Sequence, residues 1–311
     1  MKKLTTLLAI ALVWACAEEK KSEPSIAETM KTYTIEQMMD NEDIGGGSFS
    51  LDNSKLLVSS NRSGIYNMYT VDASGGELMP MTESDSSSVF GISYFPEDER
   101  ILFRMDGNGD EIYHIYLRDT TGSSKDLTPN EGARAGFQRW TDDEKSFLYT
   151  SNQRDPKFED LYEMDIEDFS STMLYKNEGG YFIGGLSDDQ KWLSLINPIN
   201  TNDSDLFLYD MENKLMVKVN EKQSANSPAD FSPDGKSLYY TTDAEGEFAQ
   251  LMKYNIAEKS RKKVLSKDWD IMGSYFTENG TYQVTYINED AKNSIEIMEV
   301  ATGENIELPA L

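Results

Sequence analysis

Cys16 is the single cysteine and His114 the single histidine among 311 residues. One cysteine cannot form an intramolecular disulfide or a Cys/His zinc cluster. One imidazole leaves one candidate base for Ser-His-Asp or Cys-His chemistry. His114 lies inside Ile112-Tyr113-His114-Ile115-Tyr116-Leu117, a run that reads as a strand. A serine nucleophile on a tight strand-to-helix elbow needs Gly-x-Ser-x-Gly, and that pentapeptide does not occur. Ser48 has Gly46 two before it but Ser50 two after, and Ser74 has Gly76 two after but Asp72 two before. The expectation is a chain with no catalytic residues and no peptidase or other enzymatic chemistry of its own.

Asp106-Gly107-Asn108-Gly109-Asp110-Glu111 alternates ligand types as a calcium loop would, but an EF-hand needs Gly at its sixth position and Glu at its twelfth. Here those positions hold Glu111 and Leu117, so the segment is expected to be a polar hairpin and no metal is assigned. The pairs Asp142-Asp143 and Asp188-Asp189 could suggest acid–base work, yet they recur at a turn position and read as turn formers. Gly45-Gly46-Gly47 lacks the Lys-Ser/Thr and following helix of a phosphate loop, and no cofactor is expected. Arg62, Arg104, Arg118, Arg134, Arg139 and Arg154 cluster in the first half of an acidic chain; any that face a central channel could hold a peptide carboxylate or an acidic group of a partner.

These residues hang on a repeat. An anchor residue followed by a polar residue and an acidic or amide turn recurs at Phe49, Phe95, Trp140, Leu186, Phe231 and Phe276, with a period of 45 or 46 residues. Each copy continues through an apolar strand such as Lys55-Leu56-Leu57-Val58-Ser59, a polar turn, and a second alternating strand such as Asp205-Leu206-Phe207-Leu208-Tyr209-Asp210. A Gly- or Asn-rich hairpin and a last short strand close the unit. Four short strands at this period define a propeller blade. The fold class is therefore all-β, a β-propeller of about six four-stranded blades. Each anchor should pack between neighbouring blades, because one sheet cannot bury both faces alone. A seventh anchor would fall beyond Leu311, so a closed ring of six, an open ring and an incomplete ring of seven all stay open. Ile35 to Met39 is expected to form a short helical turn ahead of the first blade.

Phe231-Ser232-Pro233-Asp234-Gly235 and the stretch 60–76 resemble propellers of the TolB type. From about Thr32 onward the chain resembles more closely the N-terminal propeller of secreted bacterial peptidases of the prolyl oligopeptidase family. The stretches that carry this are 33–39, 112–119, 202–210 and 267–270. In that family an α/β-hydrolase domain supplies Ser, Asp and His, and the propeller restricts access so that large folded proteins are excluded. The resemblance implies a propeller that binds a peptide or protein partner as a scaffold. The alternative is a truncated or split serine peptidase whose hydrolase domain is missing or on another chain.

At the N-terminus, Lys2 and Lys3 precede a short apolar run from Leu4 to Val13, too short to span a bilayer. Val13-Trp14-Ala15-Cys16 resembles a bacterial lipoprotein box. Residues 1–15 are then a signal peptide, Cys16 the lipidation site, 16–31 a polar tether and 32–311 the propeller, exported to the periplasm or the outer membrane. The formal charge of −26 excludes general nucleic-acid binding, which depends on Lys and Arg. It also disfavours adhesion to an anionic membrane other than through a lipid anchor.

Overall fold

The computed structural model describes residues 31–309; the expected signal peptide, Cys16 and the tether up to residue 30 lie outside them. The chain divides into two units between Glu42 and Asp43. In the first, α1 (Ile35–Met39) is one capped turn: the Thr34 hydroxyl accepts the Gln37 N–H at 3.2 Å, and the Gln37 side chain accepts the Thr34 N–H at 3.1 Å.

The second unit is six antiparallel sheets in chain order. Blade one comprises β1 (Ile44–Phe49), β2 (Lys55–Ser60), β3 (Asn67–Asp72) and β4 (Met79–Pro80). Blade two has β5 (Val89–Tyr94), β6 (Ile101–Met105), β7 (His114–Arg118) and β8 (Ser124–Asp126). Blade three has β9 (Ala135–Trp140), β10 (Ser146–Asp155), β11 (Phe158–Asp165) and β12 (Ser171–Tyr175). Blade four has β13 (Phe182–Leu186), β14 (Trp192–Asn200), β15 (Asp203–Asp210) and β16 (Met216–Lys218). Blade five has β17 (Asn226–Phe231), β18 (Ser237–Thr242), β19 (Gln250–Asn255) and β20 (Ser260–Leu265). Blade six has β21 (Asp270–Phe276), β22 (Tyr282–Glu289) and β23 (Lys292–Glu299). Its fourth strand is reduced to a bridge, Met298 to Asn305, extended by the Ile306 N–H donating to the Ile297 carbonyl at 2.8 Å. The all-β six-blade propeller expected from the period is therefore the fold, with its last blade trimmed at the outer edge.

The turn after each anchor repeats a small hydrogen-bond device. In blade five the Ser232 hydroxyl accepts the Ser237 N–H at 3.0 Å and donates to Asp234, whose carboxylate also accepts the Lys236 N–H. Ser50 with Asp52, Thr141 with Asp143, Ser187 with Asp189, and Thr277 with Asn279 repeat it. The third residue after the Ser or Thr is left-handed each time: Asn53, Glu144, Gln190, Gly235 and Gly280. Only the last two suit that conformation without a Cβ penalty. Asp143 and Asp189 are thus turn formers, as expected.

Blade two departs from this register. The Phe95 N–H donates to the Arg100 carbonyl at 2.8 Å, the bond that Ser50, Thr141, Ser187, Ser232 and Thr277 make in their own blades. Tyr94, not Phe95, is therefore the anchor equivalent. Phe95 takes the Ser/Thr place and packs on Trp140, with the Arg100 guanidinium 4.2 Å from its ring centroid. Two adjacent aromatics made either choice compatible with the period; hydrogen-bond register decides between them.

Anchors seal the interfaces. Tyr94 joins Leu57 and Met68 of blade one in a common core. Trp140 packs on a core spanning blades two and three. Leu186 packs with Leu148 and Leu161 of blade three, and Phe231 with Leu206 and Leu208 of blade four. Phe276 meets Tyr239 of blade five edge-on at 5.1 Å. Each of these five anchors thus lies on the preceding blade, where burying it stabilises by about 1.5–3 kcal/mol, whereas Phe49 of blade one is exposed.

Candidate functional site

Each innermost strand carries a β-bulge; in five blades it falls just ahead of the residue before the anchor, between Gly45 and Ser48, Gly91 and Ser93, Ile183 and Gly185, and Pro228 and Asp230, and opposite Leu148 and Tyr149 in β9, while in blade six it falls two residues earlier, between Ile271 and Gly273. The bulge bends the strand. The residues directly before the anchors are Ser48, Ser93, Arg139, Gly185, Asp230 and Tyr275, and of these Ser48, Ser93, Arg139 and Asp230 line the mouth that the blades share. Several link neighbouring blades. The Ser48 hydroxyl accepts the Tyr94 N–H at 3.0 Å, the Trp140 indole donates to Ser93 at 3.2 Å, Arg139 pairs with Asp188 at 2.6 Å, and Asp230 accepts the Phe276 N–H at 2.8 Å.

All six blades border one open mouth of about 810 Å³. Its charged lining is Arg139 against Asp142, Glu144, Asp188, Asp230 and Glu278. Arg139 bonds Asp188 through Nη1 and lies 3.8 Å from Asp142, while its Nε is buried with no hydrogen-bond partner. Burial pushes the Asp142 carboxyl up, and Asp188 nearby adds to the shift. Burial also raises Asp230, against the pull of two backbone N–H donors, Phe276 and Phe231. The mouth can therefore hold polar, uncharged or basic groups, and it repels carboxylates.

Of the six arginines singled out from the sequence, Arg139 alone lines this mouth among the described residues. Arg62 lies over Tyr69, and Arg104 over Phe90 and Tyr113. Arg118 donates to the Gly122 carbonyl, and Arg134 pairs with Glu159. Arg154 forms a fork with the fully buried Asp160, at 2.6 and 2.8 Å, and also reaches the Asn177 carbonyl. The acidic pairs divide their work: Asp142 and Asp188 face the mouth while Asp143 and Asp189 hold turns. Asp230 was not picked out beforehand; its signal was its place directly before an anchor.

His114 sits at the start of β7 with Nδ1 2.7 Å from Asp126 and its ring stacked on Tyr116. It lies on the third strand of its blade, not on the inner strands that border the mouth. The Asp106–Glu111 segment is the hairpin between β6 and β7. Asp110 accepts the Gly107 and Ile112 N–H groups, and Asp106 accepts that of Glu111. One Asp106 oxygen is buried without a partner. Among the described residues no group of three or more His, Cys, Asp or Glu is placed to hold a metal ion.

Bulged inner strands, anchors on the preceding blade and an axial mouth define a six-blade β-propeller. The chain belongs to the family of the prolyl oligopeptidase N-terminal β-propeller domain, whose model matches residues 81–311. It is 23% identical over 296 residues to dipeptidyl aminopeptidase BIII of Pseudoxanthomonas mexicana, a match covering 92% of this chain and 43% of that protein. The chain thus spans less than half of that curated relative. Among solved structures it is similar to a prolyl endopeptidase (TM-score 0.61, 13% identity, covering 86% of this chain and 43% of that one). It is also similar to prolyl oligopeptidase B of Galerina marginata bound to a 35mer substrate (TM-score 0.58, 14% identity, covering 86% and 43%). At these identities the structural likeness concerns the fold.

Proposed function

We propose that this propeller is a substrate-access and peptide-binding module, carrying no reaction chemistry of its own and tethered to a membrane by acylated Cys16 after export to the periplasm or the outer membrane. The observation that carries the peptide reading is the mouth, a six-blade opening with one guanidinium among five carboxylates. The channel admits an extended chain and excludes a folded one. The 35mer bound by prolyl oligopeptidase B supports the same reading. A second reading is that this propeller works with a serine hydrolase domain, which the family match and the dipeptidyl aminopeptidase relative support.

Anisotropy titration of a fluorescein-labelled, unstructured, uncharged peptide tests the access reading. Saturable binding is expected, weakened by Arg139→Glu and not competed by a compact folded protein; no saturable binding overturns it. Turnover of a chromogenic dipeptide that a serine-directed inhibitor abolishes would overturn the absence of chemistry. For the anchor, acyl label should enter the wild-type chain and not Cys16→Ser. Unchanged membrane partition of that variant would count against lipidation.

A further inference from the structure

We propose that the cavity beside Gly185 is a side-chain subsite for an uncharged residue of an extended peptide, an inference that rests on the access reading above. The cavity, about 130 Å³, lies among the inner strands of blades three, four and five and shares Arg139, Asp230 and Phe231 with the mouth. It exists because blade four carries glycine where its neighbours carry Arg139 and Asp230. A Cβ on Gly185 would meet nothing within 4 Å, whereas one on Gly184 would strike Pro228 at 2.4 Å and Ser194 at 2.6 Å. Space is therefore open at Gly185 and closed beside it.

The walls mix the apolar side chains of Leu161, Ile183, Leu186 and Leu238 with Gln138 and Ser194, and carry two charged poles. Arg139 Nε is a buried donor without an acceptor, its Nη1 being engaged by Asp188. Asp230 accepts one backbone N–H at each oxygen, from Phe231 and Phe276, which leaves each oxygen able to accept another. In an extended peptide the N–H and C=O of one residue point to the same side of the backbone and its side chain stands between them. Its carbonyl accepts from Arg139 Nε, its amide donates to Asp230, and the intervening side chain fills the apolar space. An acidic residue is rejected because it must pass Asp142 and Asp188 at the mouth and would then lie against Asp230. A basic one would lose its hydration against apolar walls.

The test uses the full chain and two labelled, acetylated and amidated peptides, Ala-Ala-Phe-Ala-Ala and Ala-Ala-Glu-Ala-Ala. The Phe peptide is expected to bind at least about tenfold more tightly, and Gly185→Leu to weaken it by at least about tenfold. The Gly185 backbone is not left-handed and its Cβ direction is open, so the unfolding midpoint should hold. A benzoylphenylalanine version, photolysed on wild-type protein, should label residues 182–186 or 226–231; this readout does not depend on the variant folding. Equal affinity for the two peptides, unchanged affinity in Gly185→Leu, or labelling elsewhere overturns the subsite while leaving the access reading standing. Binding of neither peptide overturns both.

Discussion

Tyr94 and Phe49 hold the same position in successive blades, yet Tyr94 is 5% exposed and Phe49 is 56% exposed. An anchor is buried by the blade before it, and Tyr94 has the Leu57 face of blade one to lie on. Phe49 would need the outward face of blade six. There Tyr275 is partly exposed and stacked on Tyr286 at 5.8 Å, its hydroxyl paired with that of Tyr286 rather than with the next blade. Five apolar cores join consecutive blades, and among the described residues no such core joins blade six to blade one. The ring is therefore strong along the chain and weak where its ends meet, as expected when sequence neighbours supply each other's burial.

The largest expected contrast lies between a sealed interface and this seam. Leu102, fully buried between blades two and three, should cost about 2–5 kcal/mol as Leu102→Ala, whereas Phe49→Ala should cost less than about 1 kcal/mol; urea unfolding midpoints compare them. Equal losses would mean that the seam is as well packed as the rest. Next comes Asp160→Ala, which strips the partner from Arg154 and the acceptor from the Asn177 N–H at 2.7 Å. About 3 kcal/mol should be lost, and restoring charge neutrality with Arg154→Met should recover part of it.

Smaller effects compare one turn with another. Gln190 holds a left-handed backbone where blade five has Gly235. Gln190→Gly should therefore stabilise by about 0.5–1 kcal/mol, while Gly235→Ala should destabilise; a lower midpoint for the first would show that the left-handed turn is not strained. The smallest expected effect depends on pH. The hydroxyl of Ser232 and the Lys236 N–H hold Asp234 at about 2, below its ordinary 3.8. A depressed carboxylate favours the fold above its unfolded value, and that contribution is lost as pH falls through the folded one. The stability gap between wild type and Asp234→Asn should therefore shrink from pH 4 to pH 2. A gap that stays constant would remove the carboxylate from the turn's account. Asp230 shifts the other way because burial penalises its charge, so acid should narrow any deficit of the wild type relative to Asp230→Asn.

Much of the fold could be read from the sequence because the period, the turn acids and the apolar alternation are set by local chemistry. The second-blade anchor was misplaced by one residue because Tyr94 and Phe95 are both aromatic, and only the Phe95–Arg100 bond separates core anchor from turn residue. That slip hid the mouth. With Phe95 as anchor, the residue before it is Tyr94; with Tyr94 it is Ser93, which lines the mouth with its equivalents Ser48, Arg139 and Asp230. Arg139 was one arginine among six, and what distinguishes it, its meeting with Asp188 across 49 residues, is a tertiary contact that spacing does not encode. Gly185 had no signal of its own, since an open Cβ direction is a property of its neighbours.

Hydrogen exchange measured by mass spectrometry on the full chain, with and without a saturating uncharged peptide, tests the central claim most directly. In the free protein, β1 and β23 should exchange faster than β10, β14 and β18, because local stability follows burial. With peptide bound, added protection should concentrate in β9, β13 and β17, the inner strands carrying Arg139, Gly185 and Asp230. Protection confined to the outer strands β4, β8, β12, β16 and β20, or no change on adding peptide, would contradict a propeller that receives its ligand through the axial mouth.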